Sequence, residues 1–420
     1  MGNTDNNQIL SLSRLCVKGI TLFDGTVLTD INTNLSYGLF IHFELDEKKM
    51  EKSIQSLYNS IDAYRAVMKR DNNSWEYHYE KEYQYHIRVE SVEGESLEEK
   101  QEKVKSIVRE NTLKPSSLEN EIPARFDIYK LEENEYFLAV YLNHYIADGH
   151  SIGLTIWKIM EKYWDITIEG ARSVGNMRKY CQRIFSADQD ERSRRCIDYW
   201  KNEMNGYHID KYQVNQSDLP AYDGLPHCIK MDKKNIVAFA QQNKTTVSNM
   251  VMLAYHITLA KVFGQRDNVI SFVSTDRNTP DDWGLIAPYE KLLSNRFILE
   301  EGKPYRELLK IIAGKIGRNI AHKYVPMQRI GLSRYGVTYM NHSKKLFESD
   351  EITTWMPELL MDYAKCSFIV LRAQELAETI EIDVVCNKEY INRKDYEKVV
   401  KVLEDTIMDM IDNSDKEVEI

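Results

Sequence analysis

The sequence has few of the residues that break, bend or cross-link a chain. It contains 9 prolines, 18 glycines and 6 cysteines among 420 residues, of which 43% are hydrophobic. Because the cysteines lie far apart with no Cys-x-x-Cys pair, the sequence excludes a zinc ribbon and a disulfide framework and predicts reduced thiols. The scarcity of proline and glycine, with the hydrophobic content, excludes a disordered chain and allows a core large enough for two domains.

The sequence also lacks signals for a membrane or for nucleic acid. No apolar run reaches 18 residues, the N-terminus has no basic-then-apolar leader, and Met1–Asn6 lacks the Ser or Thr of a myristoylation signal. The formal net charge of −10 argues against nucleic acid as a general partner, because binding phosphates requires a basic face. We expect a cytoplasmic protein without membrane contacts, and we expect it to be a monomer.

The stretch Glu135–Trp164 has the clearest pattern of a functional site. Tyr136–Leu142 is an uninterrupted run of seven aromatic and aliphatic residues, which predicts a buried strand. Asp148-Gly149 then supplies a turn, and apolar residues at helical spacing predict a helix from about Ser151. This order of strand, turn and helix places His144 on a loop held by two rigid elements, where reactive side chains are commonly displayed.

Three interpretations of His144 follow from the residues alone. Its imidazole titrates near neutral pH, so it could act as a general base while Asp148 fixes the loop. Alternatively, His144, Asp148 and His150 could be metal ligands, since imidazole and carboxylate suit zinc or iron, although no His-x-His or Glu-x-x-His partner is visible. The third interpretation is a histidine hydrogen-bonded at a strand end, which is the common case for an isolated His-x-x-x-Asp.

Apolar spacing elsewhere predicts the remaining elements. One predicted helix begins after an N-cap at Asp46. The other predicted helices are Leu97–Asn111, Lys233–Asn243, Thr246–Phe263, Tyr305–His322 and Lys394–Ile411. The predicted strands are Gly38–Leu45, Tyr83–Val89, Arg125–Leu131, Asn268–Ser274, Gly336–Met340, Ser367–Leu371 and Ile380–Val385, with a hairpin around Asp71-Asn72-Asn73. Strands and helices mix without strict alternation, which predicts α+β lobes.

The loop sequence Asn-His-Tyr-Ile-Ala-Asp-Gly at Asn143–Gly149 resembles the His-His-x-x-x-Asp-Gly motif of the condensation domains of nonribosomal peptide synthetases and their acyltransferase relatives. The family's catalytic histidine is the second of the two, and it is present as His144. The first is replaced by Asn143. The resemblance therefore keeps the proposed base and changes the residue before it.

Further stretches resemble landmarks of the same family, in the same order along the chain. Ile61–Met68 is similar to the family's Arg-His-x-x-Leu-Arg segment, and Tyr180–Gln182 through Tyr199-Trp200 is similar to the segment linking the lobes. Phe272–Arg277 is similar to the strand ending in the family's Arg. Ile286–Tyr289 through Arg296 is similar to the Ile-Gly-Pro-Phe-x-Asn-Thr segment, and Tyr324–Met327 is similar to the Val-Pro-Phe stretch. Lys291 stands where the Ile-Gly-Pro-Phe-x-Asn-Thr segment has its Asn. Together these stretches cover nearly the whole chain.

The resemblance implies two chloramphenicol-acetyltransferase-like lobes that form a V with a central tunnel. We place the N-terminal lobe, which carries the motif, at residues 1–165, a crossing region at 166–219 and the C-terminal lobe at 220–420. In this arrangement His144 lies midway along the tunnel.

The resemblance also implies a reaction. An acyl thioester on a phosphopantetheine arm, from a carrier protein or coenzyme A, would meet a small amine or alcohol, with no cofactor bound by the enzyme and no metal. His144 would deprotonate this acceptor as it attacks the thioester. Asp148 would pair with Arg277 to lock the loop, which Asn143 also supports. Gly149 would let the arm pass closely or donate its N–H to the oxyanion, unless it is only a turn residue.

The densest basic cluster of this acidic chain is Arg192-Ser193-Arg194-Arg195. Arg192, Arg194 and Arg195 could dock an acidic carrier protein, because opposite charges steer association. A solvated helix face explains the same cluster.

Three functions stay open from the sequence. The first is a freestanding condensation-type acyltransferase that forms an amide or ester in natural-product assembly; without an adenylation signature or a carrier serine motif, we expect it to act in trans. The second is an acyl-CoA-dependent O- or N-acyltransferase of the same superfamily. The third is a catalytically silent relative that recruits partners, which Asn143 and Lys291 favour. The sequence names neither the acyl group nor the acceptor.

Overall fold

A computed structural model of the chain describes residues 20–21, 27–28, 34–71, 74–114, 119, 121–166, 175–184, 189–207, 227–325, 331–341, 350–357, 368–386 and 390–420. The α-helices in these ranges are α1 (Glu47–Ser60), α2 (Leu97–Leu113), α3 (Gly149–Trp164), α4 (Met177–Ile184), α5 (Gln189–Glu203), α6 (Lys233–Gln242), α7 (Val247–Phe263), α8 (Tyr305–Ala321) and α9 (Arg393–Asp412). The strands are β1 (Ile20–Thr21), β2 (Val27–Leu28), β3 (Asn34–Ile41), β4 (Ala66–Asp71), β5 (Ser74–Tyr79), β6 (Val89–Ser91), β7 (Ala124–Glu132), β8 (Glu135–Asn143), β9 (His227–Asp232), β10 (Asp267–Thr275), β11 (Glu290–Ile298), β12 (Tyr335–Asn341), β13 (Ile352–Trp355), β14 (Ile369–Glu375) and β15 (Thr379–Cys386).

The first sheet has the strand order β13-β3-β8-β7-β6. Its central strand, β8, pairs antiparallel with β3 and β7. Alternate residues of β8 face opposite sides: Leu138 and Val140 pack in a core with α1 and α3, whereas Phe137 and Ala139 pack in a second core with α2. Because both faces of β8 are covered, its sequence is apolar at successive positions rather than at alternate ones.

The second sheet has the strand order β11-β10-β12-β14-β15-β9. β12 pairs parallel with β10 and with β14, and the other pairs are antiparallel. Every residue of α7 from Met250 to Ala260 is buried, and the helix lies in one core with α8 and α9. The helix is therefore buried all round, which suits its nearly continuous apolar sequence.

Two segments from the later part of the chain join the first half. β13 pairs antiparallel with β3, with Ile352 opposite Ile41. Leu285–Tyr289 contributes to the core that α1 and α3 share. Both segments come from the predicted lobe 220–420. The predicted crossing region holds α4 and α5, while its residues 167–174, 185–188 and 208–219 lie outside the described residues, so the lobe boundaries stay a prediction.

Several sequence predictions agree with the structure. The α+β class is confirmed by the two sheets and their covering helices. Asp46 caps α1, where its carboxylate accepts from the backbone N–H of Lys49 at 2.9 Å. The hairpin predicted around residues 71–73 is the pair β4–β5, and the predicted strands Arg125–Leu131 and Tyr136–Leu142 lie in β7 and β8, which pair antiparallel.

The predicted strand Tyr83–Val89 is wrong. Residues 83–88 have no regular structure, and the strand in this region is β6. The side chain of Gln55 in α1 takes the place of a neighbouring strand: Nε2 donates to the carbonyl of Tyr83 at 2.8 Å, and Oε1 accepts from the N–H of Tyr85 at 2.7 Å. The Gln55 amide satisfies the backbone groups that a neighbouring strand would otherwise bond. The segment can therefore have an alternating apolar sequence without pairing in a sheet.

The strand predicted at Gly38–Leu45 is also displaced, because the structure has it as Asn34–Ile41, in register with β8. None of the helices in the described ranges combines the length and apolarity that spanning a bilayer requires.

Candidate active site

His144 follows β8 directly and opens the loop that leads to α3. Its side chain is 9% exposed, and its Nδ1 lies 2.7 Å from the carbonyl oxygen of Ala147. Because a carbonyl oxygen can only accept, this contact assigns the proton of the neutral ring to Nδ1 and leaves the lone pair on Nε2. The loop therefore selects the tautomer in which Nε2 can accept a proton.

Asn143, the last residue of β8, holds the start of this loop. Its Oδ1 accepts from the backbone N–H of Tyr145 at 3.2 Å, and its Nδ2 donates to Oδ1 of Asn34 on β3 at 3.2 Å. The side chain is buried. Its amide thus ties the loop to the neighbouring strand, in the supporting position that the sequence suggested.

Asp148 caps α3. Its Oδ1 accepts from the backbone N–H and the hydroxyl of Ser151, at 2.8 and 2.7 Å, and its Oδ2 accepts from the N–H of Tyr289 at 3.2 Å. Nη2 of Arg277 lies 2.8 Å from Oδ1 and 3.0 Å from Oδ2. The structure therefore has the ion pair expected from the sequence, made by one guanidinium nitrogen rather than by a two-nitrogen fork.

Arg277 joins this loop to the segment that precedes β11. Its Nη1 donates to the backbone carbonyls of Asp282 and Leu285, the latter at 2.8 Å, and its Cζ lies 4.3 Å from the centroid of the Tyr289 ring. The side chains of Arg277 and Asp148 are 1% and 2% exposed. A buried cation with these partners holds the loop and the segment in one arrangement.

Glu290, the first residue of β11, completes the site and was not predicted from the sequence. Its Oε2 lies 3.5 Å from Nε2 of His144, and its Oε1 accepts from the backbone N–H of Gly149 at 3.1 Å. Burial raises the pKa of the Glu290 carboxyl, and the charge of Asp148 adds to the rise, while His144, the Gly149 N–H and Arg277 oppose it. The only signal for Glu290 was its place at the variable position of the Ile-Gly-Pro-Phe-x-Asn-Thr segment.

Gly149 is the first residue of α3. A Cβ built on it would meet only Oε1 of Glu290, at an ordinary contact distance of 3.4 Å. The backbone at this position therefore does not itself require glycine. Its N–H is engaged by a carboxylate oxygen, so both roles expected for Gly149, close passage of the arm and donation to an oxyanion, stay predictions.

The metal interpretation has no support in the described residues. There, no group of three His, Cys, Asp or Glu side chains could hold a metal ion. His150 instead points towards the segment before β11, where its Nε2 lies 2.8 Å from the carbonyl oxygen of Trp283. The oxygens of Asp148 are taken by the contacts that cap α3 and by Arg277.

The remaining predicted residues make other contacts. Arg192 on α5 stacks on Tyr324, with its Cζ 3.8 Å from the ring centroid, and Arg194 and Arg195 are exposed on the same helix. Lys291 is buried on β11, opposite Ser274 of β10. Residues 326 and 327 of the stretch resembling Val-Pro-Phe lie outside the described residues.

Comparison with known proteins decides the family. A sequence model described as the condensation domain matches residues 31–359, which is more than half of the chain. The chain belongs to the condensation-domain family. Condensation domains are acyltransferases that generally form amide bonds, and they take substrates bound to the phosphopantetheine arm of carrier proteins.

The curated relatives are much longer proteins. Bacitracin synthase 1 of Bacillus licheniformis is 20% identical over 91% of this chain and 7% of its own length. Surfactin synthase subunit 1 of Bacillus subtilis (strain 168) is 23% identical over 84% of this chain and 10% of its own length. The chain thus spans a tenth or less of each synthetase.

Solved structures show the same fold. The condensation domain from the monacolin K polyketide synthase MokA superposes with a TM-score of 0.76 at 15% identity, covering 98% of each chain. The starter condensation domain of rhizomide synthetase RzmA, as a mutant in complex with C8-CoA and Leu-SNAC, has a TM-score of 0.74 at 11% identity, covering 92% of this chain and 90% of that one. At these identities the likeness concerns the fold alone.

Proposed function

We propose that this condensation domain transfers an acyl group from a thioester to a small amine or alcohol, with His144 as the general base. The observation that carries the proposal is the fixed tautomer of His144, whose Nδ1 faces the carbonyl of Ala147 while Nε2 keeps its lone pair. This histidine occupies the position of the family's catalytic histidine. The V-shaped lobes and the tunnel expected from the resemblance are part of the same proposal.

The steps follow from that lone pair. Nε2 of His144 takes a proton from the acceptor as its nitrogen or oxygen attacks the thioester carbonyl carbon. The tetrahedral adduct then expels the thiolate, which receives the proton from the imidazolium. General-base catalysis of this kind contributes about 10²- to 10⁴-fold, and alignment of the two substrates supplies a further share.

Asp148 and Arg277 act on the reaction through the loop. The carboxylate caps α3 and pairs with the guanidinium, so the loop between β8 and α3 is fixed at both ends. Asn143 fixes its start. We assign these residues to positioning, because the oxygens of Asp148 are occupied by protein donors.

The donor is a thioester on a phosphopantetheine arm, which carrier proteins and coenzyme A share. The exposed Arg194 and Arg195 offer an acidic carrier a basic surface on an otherwise acidic chain. The complex of RzmA with C8-CoA favours coenzyme A as a practical donor for the first assays.

The test is intact-mass detection of acyl transfer from a loaded carrier protein and from octanoyl-coenzyme A. Substitution of His144→Ala should lower the rate about 10²- to 10⁴-fold. The matched control is His86→Ala, because that side chain is 76% exposed and its Nδ1 lies 3.6 Å from Oε1 of Glu51 on α1; this variant should keep the wild-type rate.

The outcomes separate the candidate functions. Transfer from the carrier alone supports the condensation reaction, and transfer from octanoyl-coenzyme A without a carrier supports the coenzyme A-dependent alternative. Full activity of His144→Ala would show that another group is the base. A wild-type protein that transfers no acyl group from either donor would contradict the proposal and favour the recruiting role.

A further inference from the structure

One carboxylate touches both groups that the proposed reaction would use. Glu290 contacts Nε2 of His144 through Oε2 and the N–H of Gly149 through Oε1. Its side chain is 25% exposed, against 9% for His144. Because Oε2 lies 3.5 Å from Nε2, a group that donates to Nε2 of His144 also comes within reach of the Glu290 carboxylate.

In this tautomer, His144 and Glu290 both present hydrogen-bond acceptors to a cation. With the ring proton on Nδ1, both Nε2 of His144 and Oε2 of Glu290 are acceptors, and two acceptors at 3.5 Å need a proton or a positive group between them. The other charged groups that act on Glu290 are Asp148 and Arg277, which are paired with each other. Within the described ranges, the Glu290 carboxylate forms no ion pair with an arginine.

We infer that Glu290 and His144 together receive the acceptor as a protonated primary amine, so that Glu290 selects an amine over an alcohol. The inference rests on the proposed acyl transfer and names its acceptor class. An ammonium group placed to one side of the pair can donate to both acceptors, because it carries three N–H donors and a positive charge. Most alkyl amines are protonated at neutral pH, so such a site binds the abundant form.

The protons balance with two accepting groups. Glu290 takes the first proton from the ammonium group and becomes neutral, which frees the nitrogen lone pair. The nitrogen attacks the thioester carbonyl carbon, and Nε2 of His144 takes a second proton from it. The C–S bond breaks, the thiolate takes the proton from His144, and Glu290 later releases its proton to water. The products are an amide, a thiol and one proton.

An alcohol gains little from this arrangement. It carries no charge and loses one proton on acylation, so His144 alone suffices for it. The raised pKa of the Glu290 carboxyl fits the same role, because it brings the carboxyl closer in basicity to the ammonium group whose proton it takes.

The binding test uses benzylammonium chloride and benzyl alcohol, two probes that differ at the reacting atom. Binding is followed by nuclear magnetic resonance of the labelled imidazole of His144, assigned by its loss in His144→Gln. The variants are Glu290→Gln, which keeps the shape and removes the charge, and the control Glu133→Gln in the exposed turn between β7 and β8. Circular dichroism checks that each variant is folded.

Benzylammonium should shift the His144 resonance of the wild type and of Glu133→Gln, and bind Glu290→Gln about tenfold more weakly. Benzyl alcohol should not distinguish the three proteins. Equal affinity of wild type and Glu290→Gln for benzylammonium, or no shift in the wild type, would overturn the inference.

A second readout is the pH dependence of acyl transfer from octanoyl-coenzyme A to benzylamine. The wild-type rate should stay level where the amine is protonated, whereas the Glu290→Gln rate should rise about tenfold per pH unit with the neutral fraction of the amine. Methoxyamine, which is neutral over this range, should show no such rise of rate with pH in either protein. Identical profiles for benzylamine contradict the role of Glu290. A wild type without any transfer contradicts the proposed function, while the titration still judges Glu290.

Discussion

Substitution of Asp148→Asn tests whether the ion pair with Arg277 holds the loop that carries His144. The carboxylate accepts from Ser151 through one oxygen and from Tyr289 through the other, and the guanidinium contacts both oxygens. An amide has one oxygen and one NH2 group, so one of these donors would face another donor. Arg277 would also lose its counterion.

The size of the effect follows from burial. The side chains of Arg277 and Asp148 are 1% and 2% exposed, and removing one partner of a buried pair costs about 3–5 kcal/mol because the other charge remains uncompensated. Arg277 keeps its bonds to the carbonyls of Asp282 and Leu285. We therefore expect the free energy of unfolding to fall by about 3 kcal/mol, the lower end of that range, and acyl transfer to slow because the loop is no longer fixed.

Urea unfolding of the single variants Asp148→Asn and Arg277→Gln and of the double variant measures the pair directly. The two losses should be non-additive by about 1–3 kcal/mol. The control pair is Arg266–Glu301, which is 3.0 Å long with both side chains about half exposed; Glu301→Gln should cost less than about 1 kcal/mol. Additive losses, or a loss no larger than that of the control, would refute the reasoning.

Two further predictions concern the cores. Gly38→Ala should cost about 1–3 kcal/mol of unfolding free energy in urea, because the new Cβ would lie 2.0 Å from the Phe137 ring; a neutral effect would mean that the ring moves freely. Burial lowers the pKa of His256 to about 4, so the fold, which holds this ring neutral, loses about 3 kcal/mol as pH falls from about 6.5 to 4. His256→Gln should remove that part of the acid sensitivity, and an unchanged pH dependence of unfolding would contradict the assignment.

The sequence predicted the frame of the site because the signals for it are local. The run Tyr136–Leu142 and the helical spacing after Ser151 each depend on residues next to one another, and the structure has β8 and α3 there. The N-cap at Asp148 lies at the junction. A residue held between two such elements can be identified without knowledge of distant contacts.

The sequence could not predict which distant segments meet this frame. β13 joins β3 across more than half of the chain, and its four residues are too short to show a periodic pattern. β11 was missed as a strand because, although buried on both faces, it carries Lys291, Ser294 and Asn295, which break both the continuous and the alternating apolar pattern. Pairing between such segments is decided by tertiary packing.

Glu290 shows the same limit within the site, and it also shows how the two halves of the chain depend on each other there. β10 and β11 pair with Thr275 opposite Glu290, so one antiparallel pair holds both Arg277, two residues beyond Thr275, and the carboxylate. Arg277 fixes Asp148 and Glu290 contacts His144. Any shift of this strand pair would therefore move both Arg277, which holds the loop through Asp148, and Glu290, which contacts His144. The first sheet alone cannot build the site.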